Sequence, residues 1–190
     1  MKNLILVISG PAGSGKNTVS ERLMAEFPSV RRVITSTSRP PRGAEKDGVD
    51  YHFLSKDQFE RGIAGGDFYE YAKVHDRYYG TSKKALDEID GDSILIIDVQ
   101  GAATWREIAE RYPEIKRRLT TVFIAPDSEA ELRARLAGRN TETAEEIDRR
   151  MKTAVDEFKQ ADKFDVRILS KTRDEDYAAL RKIYTDLKNK

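Results

Sequence analysis

The chain begins with an unbroken apolar run at residues 4–8, which passes through Ser9 into a glycine-rich stretch. A short β-branched run without alternation, closed by glycine, predicts a strand buried on both faces. Beyond the glycines, Val19, Leu23 and Phe27 recur at four-residue spacing and Pro28 follows, which predicts a helix and its end. Further buried strands are predicted at residues 30–35, 94–98, 120–125 and 166–169. Helical periodicity covers 102–111, 128–137 and 143–160, where Ile147, Met151, Val155 and Phe158 share a face. It returns at 174–187 through Tyr177, Leu180, Tyr184 and Leu187. Thr143 and Glu146 are spaced as a capping box. Strands alternating with helices predict an α/β fold around a five-stranded parallel sheet.

Residues 39–84 break this rhythm with paired prolines, many glycines and most of the tyrosines. Residues 51–54 and 68–74 read as short, half-exposed strands. Residues 55–64 read as a helix, with Ser55 and Gln58 as a second capping box. The segment is expected to be a small mixed α+β insertion on the sheet. The expected division is a core of 1–34, 85–134 and 156–190, an insertion of 35–84, and a helical lid of 135–155.

Composition narrows the function more than the fold. The 190 residues suit one compact domain, and a 38% hydrophobic share suffices for its core. Although 35% of residues are charged, 34 basic and 33 acidic residues nearly cancel, so neither nucleic acid nor an anionic membrane is an expected partner. There is no cysteine, which excludes disulfides and thiolate metal sites. The run at 4–8 is too short to span a membrane and leads into glycines rather than a signal-cleavage pattern, so a cytoplasmic protein is expected. Oligomeric state, monomer or homodimer, stays open.

The glycine-rich stretch is GPAGSGKNT: Gly10, Pro11, Ala12, Gly13, Ser14, Gly15, Lys16, Asn17 and Thr18. Between a strand and a helix, this spacing fits a phosphate-binding loop. Glycines let successive backbone N–H groups face a phosphate, the helix N-terminus favours the anion, and Lys16 reaches the terminal phosphates. Asn17 stands where a hydroxyl normally ligates Mg²⁺. An amide oxygen also coordinates hard cations, and Thr18 offers a hydroxyl about 100° further round the helix; whether it compensates is left open. Asp98, ending an apolar strand, suits a second Mg²⁺-binding group, directly or through water, though a turn or cap role is the simpler reading of an aspartate there.

The stretches GPAGSGKNT, STSRPPRGAEKDGVDYHF, DFYEYAKV, YYGTS, ILIIDVQG and AGRNTETAEEIDRRM, in this order, resemble the guanylate kinases, enzymes that phosphorylate GMP with ATP. The resemblance implies a P-loop kinase fold, ATP and GMP as substrates, and Mg²⁺ as cofactor. It implies that Arg39, Arg42, Tyr51 and Tyr79 grip the GMP phosphate, a good guanidinium and phenol clamp. It implies that Glu70 reads the guanine N1–H and amine, with Thr35 and Thr81 near the O6 and N7 edge and Asp98 close to GMP. Arg135, Arg139 and Arg150 match lid arginines that close over ATP; of the catalytic set Lys16, Arg39, Arg139 and Arg150, Lys16 would hold the donor and the three arginines offset charge on the phosphoryl group in transit. Four positions depart from the family pattern: Asn17; Gly43, one residue early after Arg42; Asn140, where glycine is usual; and Ser170, where asparagine is common near adenine. Two other readings stand beside the kinase. One is a guanylate-kinase-like module that binds without catalysis, resting mainly on Asn17. The other is a kinase of a phosphorylated ribose, which would have no use for a guanine reader at Glu70.

Overall fold

The computed structural model describes residues 3–74, 76–138 and 143–189. Its centre is a five-stranded, all-parallel sheet in the order β2-β7-β1-β8-β9. These strands are Val30–Arg32 (β2), Asp92–Ile96 (β7), Ile5–Ser9 (β1), Leu119–Ala125 (β8) and Val166–Leu169 (β9). β1 is fully buried, and its side chains alternate between two separate cores. Ile5 and Val7 join Leu95, Trp105, Ile108 and Phe123 on one face. Leu4, Leu6 and Ile8 join Leu23, Ile94, Val122, Ile124, Leu180 and Tyr184 on the other. The absence of polar alternation in the sequence follows from helices covering both faces. Each of these buried aliphatic side chains contributes about 1.5–3 kcal/mol.

Helix α1, Lys16–Glu26, ends before Pro28 and packs with α8, Arg173–Lys188, on the second core. Helix α4, Val99–Arg111, brings Trp105 and Ile108 to the first. At the amino ends of the strands, buried Asp92 accepts from the Leu4 N–H and the Tyr184 hydroxyl, both at 2.7 Å, and from Lys188. This ties the last helix to the sheet. Helix α6, Glu129–Ala137, and α7, Ala144–Phe158, pack through Leu132, Leu136, Ile147, Met151 and Ala154. The Thr143–Glu146 capping box is formed, as is the one at Ser55–Gln58.

A second, mixed sheet has the order β4-β3-β6-β5. It comprises Ser36–Thr37 (β3), His52–Phe53 (β4), Phe68–Val74 (β5) and Arg77–Ser82 (β6), with α2, Lys56–Gly65, packed on it. Phe59 of α2 is fully buried and stacks on Phe68 at 4.4 Å and on Tyr78 at 5.2 Å between ring centroids. On the opposite side, Tyr69 packs on Trp105 at 5.8 Å, joining this sheet to α4.

Some boundaries and some elements differ from the sequence expectation. The strand expected at 30–35 stops at Arg32. Val33 adds one more N–H bond to the Ile94 carbonyl, and the chain then crosses to begin β3. The strand expected to reach Asp98 stops at Ile96, and α4 begins at Val99 rather than residue 102, because Asp98 is its N-cap. β6 and the short helices α3, Lys83–Asp87, and α5, Pro113–Lys116, were not anticipated. Little in RYYGTS alternates in polarity; what makes it a strand is pairing with β5, and Gly80 permits that pairing. A Cβ at Gly80 would stand 2.6 Å from the Glu70 carbonyl oxygen.

Candidate active site

Three connections converge on the carboxyl end of the parallel sheet: the loop after β1, the turn after β7 and the turn after β9. This is where open α/β sheets bind ligands. Because β1 and β7 are neighbours, with Ile8 opposite Ile96 and the Ile97 N–H on the Ile8 carbonyl at 3.1 Å, the loop at 10–15 lies beside Asp98.

Gly10, Gly13 and Gly15 all have positive φ. At Gly10 a Cβ would lie 2.0 Å from the Ile124 carbonyl oxygen, so a side chain is excluded. Gly15 is the N-cap of α1, with no side-chain cap and no acidic residue in the first turn. By contrast, α2, α4, α6, α7 and α8 all begin under a side-chain cap. The N-terminal amides of α1 and its positive end are thus presented to an anion. Lys16 Nζ donates to the Pro11 carbonyl at 3.2 Å, across the loop. Asn17 is exposed on the first turn, with Thr18 beside it.

Asp98 is exposed, and its Oδ1 accepts the Gly101 N–H at 2.8 Å. Its charge reaches two half-buried carboxylates, Glu70 and Glu157. Burial raises both above the ordinary carboxylate range, and Asp98 adds to each shift; Lys16 opposes it at Glu157. Glu157, near the end of α7, had no signal in the sequence, since it sits among charged residues beside the core residue Phe158.

Glu70 and Thr81 face each other across β5 and β6. The fully buried Thr81 hydroxyl donates to Glu70 Oε1 at 2.6 Å. Between Phe68 and Glu70 the register slips by one residue, a bulge that re-aims a strand side chain. In an unbroken strand Phe68 and Glu70 would share a face; the bulge frees Glu70 from the side on which Phe68 stacks against α2.

Arg39 is 7% exposed and lies over the Tyr51 ring at 4.9 Å and the Phe53 ring at 5.7 Å. Tyr51 meets Tyr79 edge-on at 6.4 Å. Arg39, Tyr51 and Tyr79 are therefore one cluster. Arg42 is exposed and joins it through Glu45, whose Oε2 accepts the Arg42 N–H at 2.7 Å. Glu45 also takes the Arg39 guanidinium end-on, at 2.6 and 2.8 Å. Hydrogen bonds from Arg39 and then the Arg42 N–H hold the Glu45 carboxyl down to about 2; those with Glu45, and lesser ones with Tyr79, raise Arg39. Thr35 is half-buried at the entrance to β3, its carbonyl accepting the His52 N–H.

A cavity of about 470 Å³ lies against the loop, lined by Gly13, Gly15, Thr18, Arg135, Lys171 and Thr172 among others. Arg135 is held on its wall. Its guanidinium donates to Ser170 Oγ at 2.6 Å, to the Ser170 and Lys171 carbonyls, and to Glu131. Ser170 is 1% exposed, and its hydroxyl donates to buried Asp176 at 2.6 Å. The serine in place of asparagine thus forms part of a fixed network rather than an open contact. Arg150 lies on α7 and is half-buried. Arg139 and Asn140 lie outside the described residues. Neither Asp176 nor Glu45 stands out along the chain as a partner, because each is a carboxylate in a charge-rich stretch whose counterpart is fixed only by folding.

A parallel sheet with an uncapped, glycine-cradled helix at its carboxyl end, Lys16 across the cradle and an arginine–tyrosine cluster opposite defines a P-loop phosphoryl-transfer protein. The comparisons narrow the class. The family model for guanylate kinase matches residues 2–187. The chain is 42% identical over 180 residues to a guanylate kinase of Bifidobacterium longum, covering 93% of this chain and 90% of that one. With that of Clostridioides difficile the identity is 38%, covering 100% and 90%. The crystal structure of guanylate kinase from Anaplasma phagocytophilum is similar with a TM-score of 0.72 at 28% identity, covering 97% of this chain and 85% of that one. The chain belongs to the guanylate kinase family.

Proposed function

We propose that this protein transfers the γ-phosphoryl group of ATP to GMP, giving ADP and GDP. The observation that carries this reading is the pairing of an open phosphate loop with a separate sheet that presents Glu70 and the Arg39–Tyr51–Tyr79 cluster. In this reading the loop, from Gly10 to Thr18, holds the ATP phosphates, and Lys16 moves from the Pro11 carbonyl to the terminal phosphates. The 470 Å³ cavity beside Arg135 receives the rest of the donor. Glu70 accepts from guanine N1–H and the amine, a pair adenine does not offer, and Thr81 and Thr35 stand at the other edge. Arg39, Arg42, Tyr51 and Tyr79 hold the acceptor phosphate, whose oxygen is the nucleophile. Catalysis is then positioning and charge stabilisation, in which Arg39, Arg139 and Arg150 offset the moving charge.

Among the described residues no three carboxylate, histidine or cysteine side chains gather to hold a metal. That fits Mg²⁺, which takes one or two protein ligands and fills its shell with water and substrate phosphates. Asn17 and Asp98 would hold it, partly through water, with Oδ1 of Asp98 already engaged by its cap bond. When bound, Mg²⁺ neutralises charge on the ATP phosphates. We assign the core to 1–34, 85–134 and 156–190, the acceptor-binding insertion to 35–84 and the lid to 135–155. We infer a cytoplasmic protein, where both substrates occur; no described helix is long and apolar enough to cross a membrane.

The test is a panel of nucleoside monophosphates with ATP and Mg²⁺, following ADP release. GMP alone should support rapid turnover. Lys16→Met should lose at least about a hundredfold in kcat while remaining folded. Phosphorylation of a ribose phosphate in place of GMP, or no GMP-dependent ADP at all, would overturn the reading in favour of the sugar-phosphate kinase or the silent module.

A further inference from the structure

The clamp expected for the acceptor phosphate already contains an anion. Glu45 faces Arg39 with both carboxylate oxygens, Oε2 on Nη1 at 2.6 Å and Oε1 on Nη2 at 2.8 Å. The other hydrogen of Nη1 reaches the Pro40 carbonyl at 3.0 Å. A guanidinium carries five N–H donors in fixed, planar directions. These contacts use the end-on fork and the flank next to it. The remaining pair, Nε–H and the second Nη2–H, forms the side-on fork, parallel and spaced for two oxygens of one phosphate; the Tyr79 hydroxyl, a member of the same clamp, also interacts with this guanidinium, more weakly than Glu45 does.

Glu45 is itself fixed from two directions, since Oε2 also accepts the Arg42 N–H at 2.7 Å. The carboxylate therefore ties the side chain of one clamp arginine to the backbone of the other. Below it, the Tyr51 and Phe53 rings support the guanidinium plane at 4.9 and 5.7 Å from their centroids. With Arg39 only 7% exposed, the side chain has little freedom to turn its second fork elsewhere.

From this geometry we infer that Glu45 is a positioning residue for the acceptor phosphate. It holds the end-on fork of Arg39 so that the side-on fork is aimed at the phosphate, and it remains in place when the phosphate binds. Arg39 then bridges two anions, Glu45 and the acceptor phosphate. Glu45 also offsets one positive charge of the clamp, so that affinity comes from aimed hydrogen bonds more than from net charge. The inference rests on the reading of Arg39 and Arg42 as the GMP phosphate clamp.

The experiment compares wild type, Glu45→Gln, Glu45→Ala and Arg39→Ala. It measures kcat and KM for GMP at saturating ATP, inhibition by guanosine, which lacks the phosphate, and thermal stability. Misaiming a binding group by about an ångström costs up to about a hundredfold. Glu45→Ala should raise the KM for GMP by about tenfold or more, and guanosine inhibition should stay within about twofold of wild type. Glu45→Gln keeps one acceptor oxygen and should fall between; it also supplies the answer if the alanine variant folds poorly. An unchanged or lower KM in both variants would overturn the inference, because Glu45 would then be idle or competing with the phosphate. Equal losses for GMP and guanosine would also overturn it, by showing a purely structural loop effect. A wild type that fails to phosphorylate GMP, or an Arg39→Ala variant with unaltered KM, would instead overturn the functional reading beneath it.

Discussion

Glu70 shows how one residue carries opposite demands. Burial, the largest influence, raises its carboxyl above the ordinary range against the donating Thr81 hydroxyl. A native carboxylate with a raised pKa binds its proton at higher pH than the unfolded chain does. Its contribution to stability is therefore fully present below the unfolded pKa and is lost as pH rises through the raised value. The guanine-reading role proposed for Glu70 needs the ionised, acceptor-only form and so runs the other way. The KM for GMP should climb as pH falls into the raised range. Across that range Glu45, held at about 2, stays ionised and keeps Arg39 in place. The check is KM for GMP between about pH 4.5 and 8 in wild type and Glu70→Gln, which share the titration of the substrate phosphate. The variant should have a high KM without the extra acid-side climb, and a reduced preference for GMP over AMP. Identical pH profiles would remove Glu70 from the base site. The residue types at this site were legible from the sequence; their partners were not. Thr81 and Glu70 are 11 positions apart, and Ser170 and Ser14 are 156 apart, so the contacts exist only after folding.

Elements show where pattern reading succeeds and where packing overrides it. Strands buried on both faces, such as β1 and β8, announce themselves as apolar runs, and capping boxes at Ser55 and Thr143 fix helix starts to the residue. The second sheet is less legible. β3 and β4 have just two residues each, and the longer β5 and β6 carry Tyr69, Tyr71, Tyr78 and Tyr79 without a clean polar alternation. β6 was missed because its backbone ladder, rather than side-chain alternation, holds it against β5. Gly80 is the position on which that ladder depends. In Gly80→Ala the new Cβ would meet the Glu70 carbonyl at 2.6 Å and Phe59 at 3.2 Å. Backbone cannot yield as a side-chain tip does, so β5 must move away. We expect a loss of about 1–3 kcal/mol, typical of overpacking. The KM for GMP should rise as Glu70 shifts, with the KM for ATP nearly unchanged. Thermal melts with both kinetic constants check this; an equal effect on both substrates would place the damage outside the acceptor sheet.

At the scale of the whole molecule, the loop assigned to the donor belongs to the parallel sheet and the groups assigned to the acceptor to the mixed sheet, so the proposed reaction depends on how the two meet. A ligand that joins adenosine and guanosine through a phosphate chain spans both halves. At about 100 times its Kd it should stabilise the fold by about 2.7 kcal/mol, which in a domain of this size raises Tm by roughly 5–11 °C. Solution X-ray scattering should show a smaller radius of gyration as insertion and lid close to exclude water. A large Tm shift at constant radius would argue for a site already closed. The amino-acid sequence by itself determined the chain's class: apolar runs, glycine spacing and caps act over a few residues, where local sterics and hydrogen bonding decide the outcome. Tertiary structure alone decided the pairings. Asp98 became a helix cap because β7 stops at Ile96, Arg135 was drawn to Ser170 at the cavity wall, and Glu45 closed on Arg39. Each is a choice among many charged neighbours of similar kind, settled by which groups the packed sheets and helices bring within hydrogen-bond reach.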